Sequence, residues 1–227
     1  TVADGSPNYR DGAFHNLDPA AALQLDAEEN RLVLFNMISS RSASRPRSQV
    51  PLAEPPVGAG PEPLAVSWLG HATALLEVDG YRVLTDPIWS DRCSPSRTVG
   101  PQRLHPPPLP LAALPALDAV VISHDHYDHL DMDTVLALAR TPRAPLVVPL
   151  GVGAHLREWH IPAERIIELD WNESTRIGEL TLVCTPARHF SSSPTAWAGT
   201  PPASWRARSP WRRWPILTSI RPDRTRS

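Results

Sequence analysis

An α+β fold, with short helices packed on a mixed sheet, is what the sequence predicts, and three stretches carry that prediction. Between residues 65 and 85 apolar runs follow one another with a tight turn between the last two, the pattern of an antiparallel meander. Between residues 119 and 169 short β-branched runs alternate with short helical stretches, which sets helices against a sheet. The third stretch is His124-Asp125-His126-Tyr127-Asp128-His129, where three histidines and two carboxylates follow directly on an apolar run.

Residues 1 to 17 are polar and turn-rich, and nothing in them forces structure. Asp18-Pro19 reads as a helix start, with aspartate capping and proline in the first turn, leading into a helix from Ala20 to about Ser39. Leu25, Leu32, Phe35, Met37 and Ile38 give it an apolar side, expected to dock on the protein's own core. Arg41, Arg45 and Arg47 follow, so a helix lying on a membrane surface is the alternative. Residues 42–63 are rich in serine, proline and arginine and read as a linker, which makes 1–63 an N-terminal extension.

The folded body is expected from Leu64. Ala65–Leu69 and Ala74–Val78 read as strands, and Asp79-Gly80 turns the second into a third, Tyr81–Thr85. A proline-rich loop spans 93–117. The strand Ala119–Ser123 leads into the histidine cluster, a short helix follows over Met132–Arg140, then a strand at Leu146–Pro149, a helix at Gly153–Trp159, and strands at Ile166–Leu169 and Leu180–Cys184.

The chain's 227 residues suffice for one good-sized domain with extensions, and 41% hydrophobic residues support a core. A formal net charge of −2 gives no global signal for nucleic acid, and no specific nucleic-acid partner is expected. With only Cys93 and Cys184, no disulfide framework is implied and a reducing, cytoplasmic setting fits. No apolar run approaches the roughly 18 to 20 residues of a membrane-spanning helix, and no signal-peptide pattern opens the chain, so at most a peripheral membrane contact is expected.

The cluster at 124–129 reads as a metal site on its chemistry alone. In an extended chain residues two apart share a face, so His124 and His126 project together with Asp128, and a turn brings His129 alongside. Imidazole and carboxylate suit zinc, at bond lengths of roughly 2.0 to 2.2 Å, and the loop could serve parts of two neighbouring sites. A polar loop with unrelated histidines is the bland alternative, and the clustering at a strand end argues against it. His189 also follows a strand, although a lone histidine is more often structural.

The cluster and its neighbours resemble the metallo-β-lactamase superfamily, whose signature is the His-x-His-x-Asp-His loop. Ser67–Thr73, Leu84–Pro87, Gly100-Pro101, Ile122–Asp131, Pro149–Gly153 and Thr185–Ser191 are similar to the branch containing N-acyl-phosphatidylethanolamine-hydrolysing phospholipase D, over about residues 64 to 191. The resemblance implies the αβ/βα sandwich of that superfamily. It makes His124, His126 and His189 ligands of one zinc, and Asp128 and His129 ligands of a second, with Asp128 and His129 also the catalytic pair. Asp86 and His71 are expected to orient ligand imidazoles. Two such ions can share a hydroxide and clamp both oxygens of a phosphodiester. The implied reaction is hydrolysis of a phospholipid or other phosphodiester. A lactonase like the ascorbate-6-phosphate lactonases is the alternative enzyme, and an inactive metal-binding chain the alternative from another class.

The sequence departs from the family pattern after His189. The Gly-Asp-Thr-like segment and the late histidine of the second half do not occur, and the only acid beyond His189 is Asp223. Residues 191–227 carry seven arginines, four tryptophans and six prolines and are expected to be an irregular tail, so the recognisable domain, 64–190, reads as incomplete. All 22 basic residues are arginine, a bias of guanine- and cytosine-rich coding DNA, and a frameshift near residue 191 accounts for the tail's composition. One zinc is then the securer expectation, with a homo-oligomer as one route to the missing ligands.

Overall fold

The computed structural model describes residues 5–10, 13–15, 28, 31–32, 35, 46–55, 63–94, 98, 101–140, 144–187 and 216–222. A six-stranded mixed sheet forms the body: β3 (Leu64–Gly70), β4 (Thr73–Val78), β5 (Tyr81–Thr85), β6 (Ala119–Val121), β7 (Leu146–Pro149) and β8 (Ile166–Leu169), adjacent in chain order. The first three are antiparallel, and β5 to β8 run parallel. Asp79 and Gly80 both take positive φ, 47° and 86°, as the two-residue turn between β4 and β5 requires.

Two helices cover one face of this sheet. α1 (Met132–Ala139) buries Thr134, Val135 and Leu138, spaced to share a helical face. Asp131 precedes it, and its carboxylate accepts from Thr134 Oγ1 at 2.6 Å and from the Ser90 amide at 3.0 Å, tying the helix start to the loop after β5. α2 (Gly153–Glu158) lies against β8, where the Gly153 amide donates to Glu168 Oε1 at 3.2 Å. A Cβ at position 153 would sit 2.5 Å from Glu168 Cδ, so a larger residue there would displace the Glu168 carboxylate from this contact. Leu69, Leu84, Ile122, Leu146 and Leu156 are among the core residues between sheet and helices.

The opposite face carries a second, antiparallel sheet of three strands in the order β11-β10-β9: β9 (Ser174–Ile177), β10 (Leu180–Thr185) and β11 (Ile216–Pro222). Alternate residues of β10, namely Leu180, Leu182 and Cys184, are buried against Val83, Val121 and Val147 of the large sheet, with Trp171 beside them. Helices, sheet and sheet thus stack in three layers, and the α+β class stands.

The architecture departs from expectation in several places. Tyr9–Arg10 (β1) and Ala13–Phe14 (β2) pair as a small hairpin in the segment where nothing seemed to force structure, because Phe14 finds a buried seat against Leu150. β9 was not expected. Its polar Ser-Thr-Arg sequence becomes a strand only through its ladder with β10. β11 lies in the stretch expected to be irregular and pairs with β10 along its length. Of the N-terminal helix, Glu28, Arg31, Leu32 and Phe35 are described and helical, and Leu32 and Phe35 are 55% and 66% exposed, so these two do not dock on the core as expected. The rest of that helix, part of the linker, and His189 lie outside the described residues.

Candidate metal centre

The centre is built where β5 and β6 end side by side. β6 stops at Val121, and the chain leaves it through Ile122 and Ser123 into the histidine loop, while β5 ends at Thr85 and hands on to Asp86. The Asp86 amide donates to the Val121 carbonyl at 2.8 Å, which locks the two strand ends together. Asp86 has φ of +41°, an unusual conformation for a residue other than glycine, of the kind that persists where surroundings over-determine it. Thr73 supplies part of that surrounding. Its buried hydroxyl donates to the Asp86 carbonyl at 2.7 Å and accepts the Ile88 amide at 3.0 Å, so one side chain holds both ends of the turn.

The Asp86 carboxylate, 7% exposed, turns inward to the histidine loop. Oδ1 accepts the Ser123 amide and Oδ2 the Ser123 hydroxyl, each at 2.7 Å, and Oδ2 also faces His129 Nδ1 at 2.8 Å. Ser123 Oγ lies 2.9 Å from His124 Nδ1. Since that hydroxyl has one proton and gives it to Asp86, His124 Nδ1 must be the donor in the contact. By the same logic His129 donates through Nδ1 to the carboxylate. In the neutral form of each imidazole the proton therefore sits on Nδ1 and the lone pair on Nε2, which is the state a metal-ligating histidine needs.

Electrostatics at His129 reflect this arrangement. Burial disfavours its protonated form, but the hydrogen bond and charge of Asp86, with the charge of Asp128, outweigh burial and raise the imidazole above its ordinary value of 6.5.

A tight turn gathers the loop. The amides of His129 and Leu130 both donate to the His126 carbonyl, at 2.8 and 2.7 Å, and the His124 ring centroid lies 4.7 Å from that of His126 and 4.1 Å from that of His129. His71, with φ of +50°, enters from the β3–β4 loop, its carbonyl held by Trp68 Nε1 at 2.8 Å. His71 Nε2 stands 3.3 Å from Asp128 Oδ2, and His129 Nε2 stands 3.8 Å from the same oxygen. Ligand atoms of His71, Asp128 and His129 all lie within 4.8 Å of one another, and two imidazoles with one carboxylate form a donor set that can hold a divalent ion. The remaining acid of the loop, Asp125, points elsewhere: it is buried, and its Oδ2 faces His155 Nε2 of α2 at 3.6 Å.

An open cleft of about 330 Å³ reaches His71 and Asp128, walled by Trp68, Cys93, Arg103, Leu104, His105 and Tyr127. Burial raises the Cys93 thiol and pushes the Tyr127 phenol up to about 12, so both are neutral at physiological pH.

Of the expected site residues, the structure brings together His124, His126, Asp128, His129, Asp86 and His71. His71, expected to orient a ligand imidazole, stands with its Nε2 in the group that could hold a metal. Sequence reasoning missed Ser123 and Thr73. A serine directly before the first histidine is the signal that could have found one; nothing marks the other, whose role depends on two strands meeting.

Comparison with known proteins agrees with the geometry. The sequence model of the beta-lactamase superfamily domain matches residues 81–214. The chain belongs to the metallo-β-lactamase superfamily. It is 65% identical to an uncharacterized protein of Mycobacterium tuberculosis over 87% of this chain and 55% of that protein. It is 42% identical to N-acyl-phosphatidylethanolamine-hydrolyzing phospholipase D 1 of Caenorhabditis elegans, over 56% of this chain and 38% of that one. A UPF0173 metal-dependent hydrolase of Saccharolobus solfataricus is 35% identical over 56% of this chain and 52% of its own length. The chain thus spans about half the length, or less, of these relatives.

Proposed function

We propose that the protein is a zinc-dependent phosphodiesterase acting on N-acyl-phosphatidylethanolamine or a similar phospholipid. The observation that carries this reading is the His71–Asp128–His129 cluster, with His129 held from behind by buried Asp86. His124, His126 and His189 are the proposed ligands of one ion, and Asp128 and His129 those of a second, with His71 beside that second position. A bound divalent ion supplies Lewis acidity and lowers the pKa of a water. The chain's own residues do the rest. Asp86 and Ser123 keep the imidazoles in the tautomer that leaves Nε2 bare. Asp128 places a negative charge beside the cluster, offsetting the positive charge gathered there.

The phospholipid substrate is supported by the Caenorhabditis elegans relative and by the cleft, whose Trp68 and Leu104 are 60% and 57% exposed and offer apolar surface to an acyl chain. Exposed Arg31, Leu32 and Phe35 support peripheral contact with a lipid surface. Among the described residues no helix is long and apolar enough to cross a membrane.

Metal analysis of the purified chain with an assay on bis(p-nitrophenyl) phosphate and N-acyl-phosphatidylethanolamine tests the proposal. Zinc-dependent turnover of both, lost in His126→Ala, is the expected result. Bound zinc without turnover would leave an inactive metal-binding chain, and turnover of lactones alone would favour the lactonase.

A further inference from the structure

We propose that Arg103 seats the anionic group of the substrate, a phosphodiester oxyanion, at the wall of the cleft that leads to Asp128 and His71. The inference rests on the hydrolase reading above and names the residue that would give it specificity for an anion.

Arg103 is half-buried in the cleft wall, and its hydrogen bonds hold one edge of the guanidinium only. Nε donates to the Ser90 carbonyl at 2.9 Å, and Nη2 donates to the Ile88 carbonyl. Both acceptors are neutral, and no carboxylate among the described residues forms an ion pair with this arginine. A guanidinium has five N–H donors. Two are used here, which leaves three, with at least one on each terminal nitrogen. That free end is the edge that meets two oxygens of a phosphate in parallel hydrogen bonds.

The surroundings favour this use over simple structural clamping. Burial is the largest influence on Arg103 and disfavours its charged form, while the charges of nearby Asp131 and Asp91 favour it without touching it; the cation is thus held partly desolvated with no carboxylate in direct contact, a situation a bound anion relieves. Gly70, with φ of +103°, passes so close that a Cβ there would lie 3.1 Å from Arg103 Nη1, and the β3–β4 loop that carries His71 therefore packs directly on the guanidinium. The same loop ties the candidate anion seat to the candidate metal cluster. Apolar Trp68 and Leu104 flank the arginine on the cleft wall, so a ligand with an anionic head and a hydrocarbon tail meets a matching surface. Arg103 is the only arginine lining this cleft among the described residues.

The test has a binding arm that needs no catalysis. Dibutyl phosphate, a phosphodiester monoanion, is titrated calorimetrically into the full metal-free chain and into Arg103→Lys and Arg103→Gln, with hexanoate as the carboxylate control. Binding by the parent chain, weakened about tenfold or more in Arg103→Gln and less in Arg103→Lys, is expected from loss of a charge-assisted bidentate contact. In the zinc-loaded chain, KM for bis(p-nitrophenyl) phosphate should rise in Arg103→Gln with a smaller change in kcat, while KM for neutral p-nitrophenyl acetate stays put. Arg103→Lys, which keeps the charge, guards against a folding defect, and melting temperatures are recorded for all three. Equal binding by parent and Arg103→Gln, or no binding by the parent, overturns the proposal, as does hexanoate binding as tightly as dibutyl phosphate. Arg103-dependent binding of dibutyl phosphate in a zinc-loaded chain that hydrolyses no ester would instead overturn the hydrolase reading and leave the anion seat standing.

Discussion

Asp86 Oδ2 lies 2.8 Å from His129 Nδ1, and the same carboxylate receives the amide and the hydroxyl of Ser123 at 2.7 Å each. One buried side chain therefore grips the residue before the histidine loop and the residue that closes it. The loop's shape and the tautomers of two of its imidazoles depend on an aspartate that comes from another strand.

Replacing Asp86 should accordingly weaken metal binding without removing a proposed ligand. Asp86→Asn is expected to lower zinc affinity about 10- to 100-fold, the usual cost of losing the partner that orients a ligand imidazole. Competition titration against a chromophoric chelator measures it, and unchanged affinity would show that Asp86 only braces the backbone.

The same contact gives the metal-free protein a pH dependence of definite sign. His129 is raised above 6.5 in the folded chain, so its contribution to stability is fully present below the unfolded value and is lost as pH rises through the higher folded value. Melting temperature of the metal-free chain should fall across that window, and Asp86→Asn should flatten the dependence. Zinc competes with the proton for this imidazole, so zinc affinity should fall as pH drops through the folded value.

Thr73→Val should be costly despite its similar shape. The Thr73 hydroxyl satisfies the Asp86 carbonyl and the Ile88 amide in a fully buried position, and leaving them unpaired costs about 1 to 3 kcal/mol. Urea unfolding of the metal-free chain reads the loss. Leu182→Ala, in the seam between the sheets, should cost about 2 to 5 kcal/mol on the same measurement.

Neither cysteine should react with a thiol reagent in the native chain near pH 8. Burial pushes Cys184 up to about 12 and also raises Cys93, so both stay protonated as well as shielded. Two thiols should appear together on unfolding. Rapid native labelling of Cys93 would mean that its thiol, buried in the cleft wall, becomes accessible in the native chain.

The frameshift proposal has a direct check in the coding DNA. If it holds, another frame downstream of codon 191 encodes a Gly-Asp-Thr-like segment. A single open frame with no such alternative would make the arginine- and tryptophan-rich stretch genuine.

Much of the fold was legible in the sequence because its strands are bounded by local signals. Asp79-Gly80 fixed the hairpin, and β5, β7 and β8 fall at the expected residues because β-branched runs there end at prolines, aspartates and turns. The metal loop was equally legible, since its histidines and acids are neighbours in sequence and their chemistry requires no partner to be recognised. By contrast, β9, β11 and the β1–β2 hairpin are short or polar, and each becomes ordered only through a ladder or a buried seat supplied elsewhere.

What the sequence determined by itself is the set of groups at the centre: His124, His126, Asp128 and His129, presented at the end of a strand. Tertiary structure alone decided how those groups stand. It brought Asp86 from the end of β5, Thr73 from β4, His71 from the loop before it and Arg103 from a proline-rich segment to one place. The physical reason is that parallel strand ends meet through long crossovers, so contacts at such an edge join residues that no local pattern connects. Hydrogen-bond geometry, and with it the choice of tautomer, exists only once that edge has formed.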